Sequence, residues 1–103
     1  MPNPNPSSGD PVLHHSSAKG GEFRVEREGK RIAELTYSLA GADAVVSHTW
    51  VDPDHRGGTL APSLVAAAVE WARANGRHIV ARCPYVEKVF SRSPETYADV
   101  WKR

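Results

Sequence analysis

The sequence predicts one mixed α/β domain of order βββαβαα: an antiparallel meander, a parallel βαβ crossover and C-terminal helices. Three observations carry that expectation. Apolar residues alternate with period two through residues 23–51, between turn-forming groups. A helix-spaced apolar stripe occupies 60–75, and a short apolar run at 78–82 follows it. At 103 residues the chain can bury one core and has no room for a second domain.

The elements follow in order. Residues 1–21 hold Pro2, Pro4, Pro6 and Pro11 among Asn, Ser and Gly, with only Val12 and Leu13 as large apolar groups. Such a segment buries too little surface to offset its ordering entropy, so a disordered tail is expected, with the domain spanning 22–103. His14 and His15 then read as part of a solvated tail, a stray metal ion being the alternative. Phe23 and Val25 precede a Glu28-Gly29-Lys30 turn, and Ile32, Ala33, Leu35 and Tyr37 form the returning strand. After a second turn at Gly41, residues 44–51 alternate, with Val45, Ser47, Thr49 and Val51 on one face and Val46, His48 and Trp50 on the other.

The helix at 60–75 places Leu60, Leu64, Ala68, Trp71 and Ala72 on one stripe and Ser63, Glu70 and Arg73 on its polar side. Pro62 fits only because it lies in the first turn, and Gly76 supplies a left-handed stop. A helix of this length makes strand 78–82 parallel to strand 44–51. Residues 83–90 read as a short helix, and Pro94 opens a last one to residue 103 with Tyr97, Val100 and Trp101 inward.

Composition narrows the partners. Thirteen Lys and Arg against twelve Asp and Glu leave a net charge of +1, too small for the field that drives nucleic-acid binding. A patch of Arg24, Arg27, Lys30 and Arg31 is interleaved with Glu22, Glu26 and Glu28, which favours a solvated hairpin. No apolar run approaches the roughly 20 residues that span a bilayer, and no basic-then-apolar signal opens the chain. With the single Cys83 unable to form an internal disulfide, a cytoplasmic protein without membrane or nucleic-acid partners is expected, a monomer being favoured.

The run from His48 to Pro62 carries the chemistry. A strand ends at Asp52-Pro53-Asp54, crosses Arg56-Gly57-Gly58-Thr59 and enters a helix, which is how backbone amides and a helix dipole are aimed at a phosphate. The plain alternative is a tight turn made by two glycines. Val51, Pro53, Arg56, Gly57, Leu60 and Ala61 together resemble the pyrophosphate motif of GNAT-type N-acetyltransferases: Gln or Arg, two residues, Gly, one residue, then Gly or Ala. Arg56 and Ala61 match its ends, while Thr59 replaces the central glycine and Pro62 removes one amide.

A narrower resemblance covers about 23–103. The chain is similar to very small single-domain GNAT-like proteins through His48-Thr49-Trp50-Val51, Arg56-Gly57, Cys83-Pro84-Tyr85-Val86 and Ser93-Pro94-Glu95. The resemblance implies an acetyl-CoA-dependent N-acetyltransferase acting on an amine, small-molecule or protein-borne. It places CoA against Val51, Arg56, Gly57, Gly58, Thr59, Leu60 and Ala61.

Three residues are the catalytic candidates. Cys83 before Pro84 suits a helix N-cap, where thiolates are stabilised, and a thiolate can accept an acyl group from a thioester. It is otherwise a small buried apolar residue. His48 can serve as a base, or sit bonded to backbone; Tyr85 can protonate a departing thiolate, or simply bury its ring. His55 reads as an exposed loop residue and His78 as structural, and these with His48 and Cys83 lack zinc-ligand spacing. Trp50, Trp71 and Phe90 read as core. The rival function is a non-catalytic acyl-CoA-binding or interaction module of the same fold.

Overall fold

The computed structural model describes residues 11–103. Five strands, β1 (Leu13–Ser16), β2 (Gly20–Arg27), β3 (Lys30–Ala40), β4 (Asp43–Val51) and β5 (His78–Ala81), lie side by side in chain order. The first four pair antiparallel and β4–β5 pair parallel, so the predicted mixed sheet and its crossover are both present. Helix α1 (Leu60–Ala74) is the crossover, and α2 (Pro84–Arg92) and α3 (Pro94–Tyr97) close the chain. No helix among the described residues is long and apolar enough to cross a membrane.

The β2–β3 turn is a two-residue loop, with Glu28 at φ 54° and Gly29 at φ 77°, the mirror-image geometry that matches strand twist. Phe23, Val25, Ala33, Leu35 and Tyr37 line one sheet face, and α1 covers it with Leu64, Val65, Ala68, Val69 and Ala72. Ser63, expected on the polar side, is instead only 7 % exposed. The helix ends as its composition predicts: Gly76 takes φ 64°, and the Arg77 and Gly76 amides return to the Ala72 and Arg73 carbonyls.

The basic hairpin is largely self-neutralised. Arg24 bonds Glu22 and Glu26 at 2.8 Å each, and Arg31 reaches Glu34 at 2.8 Å and Glu22 at 3.0 Å. Exposed pairs of this kind add little stability but leave no concentrated positive patch.

Three further expectations need correction. The tail was expected to reach Gly21, yet Leu13–Ser16 form an edge strand on β2; residues 1–10 lie outside the described residues. The reason is His14, whose ring stacks on Phe23 at 4.0 Å, meets Trp71 edge-on at 5.2 Å and bonds the Tyr37 hydroxyl at 2.6 Å. Burial, then its neighbour His15, holds the His14 pKa below the usual histidine value. A side chain at Gly21 would strike the His15 carbonyl, so this close approach requires glycine.

The second correction concerns β4. Tyr37 faces Val46 but Thr36 faces His48, so Ser47 is an extra, bulged residue. The bulge shifts the alternation by one, placing Val46, Thr49 and Val51 on the same face and not on opposite ones. Third, the last helix stops at Tyr97. Ile79 donates to the Val100 carbonyl at 2.6 Å and accepts from the Lys102 amide at 2.8 Å, so the free edge of β5 captures the C-terminus. Val100 is buried, and Tyr97 and Trp101 pack against the core as expected.

Beside the bulge, β4 and β5 part. Their pairing ends at Val46 and Ala81, and the Val46 carbonyl accepts the amides of both Arg82 and Cys83 at 3.0 Å.

Candidate active site

The parting of β4 and β5 opens into a cleft of about 320 Å³, lined by Thr49, Trp50, Val51, His55, Arg56, Gly57, Gly58, Leu60, Ala61 and Tyr85. Six of the seven residues expected at the cofactor therefore meet in one place. The seventh, Thr59, is exposed, caps α1 without a side-chain bond and lies outside the lining.

The loop is built from the strand end upward. Asp52, 8 % exposed, accepts the Asp54 amide at 2.9 Å and so turns the chain into a short 3-10 helix at Pro53–His55. That bond, with Lys30 and His55 nearby, holds the Asp52 carboxyl below its usual pKa against an opposing desolvation. Arg56 folds back, its Nε donating to the Val51 carbonyl at 2.9 Å, which ties the loop to the strand. Gly57 then takes φ 83°, where a side chain would strain the backbone. Gly58 lacks this constraint; a Cβ there would meet only the His55 carbonyl at 3.8 Å.

The two glycines therefore separate folding from binding. Gly57→Ala should cost about 1–2 kcal/mol through backbone strain. Gly58→Ala should leave the melting temperature unchanged while its methyl narrows the cleft wall, weakening by about tenfold any ligand that calorimetry shows the cleft to hold.

Cys83 and Tyr85 bound the other side. Cys83 is the N-cap of α2, 5 % exposed, with its Sγ donating to Thr49 Oγ1 at 3.4 Å; Pro84 follows as the first helical residue. Tyr85 lines the cleft, and burial of its ring raises its hydroxyl pKa, so it stays protonated across neutral pH. His48 is not brought to this group. Its side chain is 52 % exposed and its Nε2 lies 3.5 Å from Glu34, a result of the Ser47 bulge, which turns it away from the Val46 face.

Three lining residues escaped the sequence reading, the first being Thr49, which accepts from Cys83. Trp50, taken as core, and His55, taken as a solvated loop residue, both face the cleft. Nothing in the spacing marks Trp50, but the Asp-Pro-Asp-His run signalled the tight turn that carries His55 inward. Among the described residues no three of His, Cys, Asp and Glu converge as metal ligands, and no carboxylate lines the cleft.

Comparison with known proteins bears on this geometry. Residues 22–100 match the family model described as GCN5-related N-acetyl-transferase. The fold is similar to a GCN5-like chain from Staphylococcus aureus (TM-score 0.66, 26 % identity, 88 % of each chain covered). It is also similar to a ribosomal-protein-alanine N-acetyltransferase from Brucella melitensis (TM-score 0.61, 18 % identity, covering 75 % of this chain and 62 % of that one). The aminoglycoside N-acetyltransferase AAC(6')-Iy, solved with CoA, shares the fold at TM-score 0.53 and 18 % identity, covering 84 % of this chain and 62 % of that one. The chain thus spans nearly all of the first relative but about three-fifths of the other two. A comparison with curated proteins gave no match.

Proposed function

We propose, on the premise that this chain belongs to the GCN5-related N-acetyltransferase family, that it moves an acetyl group from acetyl-CoA to an amine. The convergence of Arg56, Gly57, Gly58, Leu60, Ala61, Val51 and Tyr85 around one cleft supports that reading most. The residues fit a phosphate-bearing ligand: Gly57 holds a left-handed turn, Gly58 leaves open space, and Thr59 stays out of the way. Acetyl-CoA would supply an activated thioester; the rest is done by the protein.

The loop amides and the N-terminus of α1 would bind the pyrophosphate, Pro62 contributing none. Val51 and Trp50 would flank the arm, leading the thioester toward Thr49 and Cys83. Transfer has two routes. In the direct one the amine nitrogen would bond to the acetyl carbon and lose one proton to solvent as the carbon–sulfur bond breaks, while Tyr85 would protonate the departing thiolate and regain its proton from solvent. In the other, Cys83 Sγ would bond to the acetyl carbon as the first carbon–sulfur bond breaks, its proton passing to the departing CoA sulfur; the amine would then displace Sγ and return a proton to it. His48 remains a candidate base only through solvent, given its place on the sheet.

The absence of a carboxylate in the cleft favours a second reading, an acyl-CoA-binding module without catalysis. Radiolabelled acetyl-CoA separates them. Acid-stable transfer to an amine, or label retained on the wild type and lost in Cys83→Ala, is expected; CoA binding without either would favour the module. The amine class, protein-borne or small, is tested in the same assay by varying the acceptor.

A further inference from the structure

We propose that His55, backed by Asp52, is a proton-dependent anchor for the pyrophosphate of the acyl donor. The inference rests on the CoA reading above and adds a residue and a pH dependence to it. His55 lines the cleft, yet its Nδ1 is buried with no hydrogen-bond partner. That nitrogen faces Asp52 Oδ1 at 3.9 Å. Asp52 is itself buried and fixed by the Asp54 amide, and its other oxygen lies 3.6 Å from Lys30 Nζ.

The arrangement selects a tautomer. A lone pair on Nδ1 would point at a carboxylate oxygen, whereas an N–H there points a positive end at it. His55 therefore keeps its proton on Nδ1, and the exchangeable position is Nε2, on the opposite edge of the ring. In the neutral ring Nε2 is only an acceptor and repels phosphate oxygens. After taking one proton from solvent it becomes a charge-assisted donor, and the imidazolium lies between the Asp52 carboxylate and the ligand.

The other charged groups around His55 do not replace it. Lys30, from the β2–β3 turn, is engaged by Asp52, and Arg56, tied by its Nε to the Val51 carbonyl, keeps its charge at any pH and so adds no pH dependence. Asp54 is exposed on the loop, and the first turn of α1 carries no acidic residue to oppose an anion. The cradle amides hold the phosphates at any pH; His55 adds to them only when charged.

The probe is 3′-dephospho-CoA, whose pyrophosphate keeps its charge between pH 6 and 8, with pantetheine as the phosphate-free control. Calorimetry at both pH values, in two buffers of different ionisation enthalpy, is expected to show affinity for dephospho-CoA falling about tenfold as pH rises. Proton uptake should accompany binding near the upper pH, and pantetheine should show neither effect. In His55→Gln the pH dependence should vanish while the circular dichroism spectrum stays unchanged. Equal affinity at both pH values, or the same slope in His55→Gln, overturns the anchor and leaves the CoA reading standing. Absence of dephospho-CoA binding at either pH overturns both.

Discussion

Phe90→Ala is expected to lower the unfolding free energy by about 3–5 kcal/mol, a large part of what a domain of this size possesses. Phe90 is fully buried, stacked on Tyr97 at 4.6 Å and met edge-on by Trp101 at 5.6 Å. Truncation removes both ring contacts and leaves a cavity that α2, tethered at Cys83 and at Pro94, cannot easily collapse. The consequence reaches the cleft, because α2 carries Tyr85. Urea denaturation reads the loss, and a change below about 1 kcal/mol would show that α2 is held by something other than this aromatic cluster.

Tyr85→Phe has the largest expected effect on turnover without one on folding. If its hydroxyl protonates the leaving thiolate, removing it should lower kcat by about a hundredfold, the common contribution of a placed general acid. CoA affinity should move little, since the ring and its contacts remain. The pH profile gives the sign. A general acid works below its pKa, and burial holds the Tyr85 hydroxyl above the usual tyrosine value. The wild-type alkaline limb should therefore lie above that usual value, and Tyr85→Phe should lose it. Unaltered kcat in Tyr85→Phe would leave Tyr85 as a wall of the cleft.

Much of this was written plainly in the chain. Period-two alternation, Gly29 and Gly76 placed the strands, the hairpin and the end of α1, since each rests on local sterics. The gathering of Val51, Arg56, Gly57, Gly58, Leu60 and Ala61 was equally legible, because a strand, a short turn and a helix in succession keep them close. What could not be read depended on contacts distant in sequence. His14 belongs to the domain only because Phe23, Tyr37 and Trp71 surround it, three residues from three elements. The Ser47 bulge has no mark of its own, and it turns His48 away from the Val46 face. The C-terminal segment looked helical by spacing, but an open strand edge outbid that preference with two backbone bonds.

The carbonyl of Val46, shared by the Arg82 and Cys83 amides, decides how rigidly the two strands stand apart. One acceptor serves two donors, so sliding β5 by a residue would orphan both amides at about 1–3 kcal/mol apiece. The aperture between the strands thus behaves as a gauge of fixed width, present before any ligand arrives. Under the proposed acyl transfer, a group led between the strands would meet a gap set by these two backbone bonds.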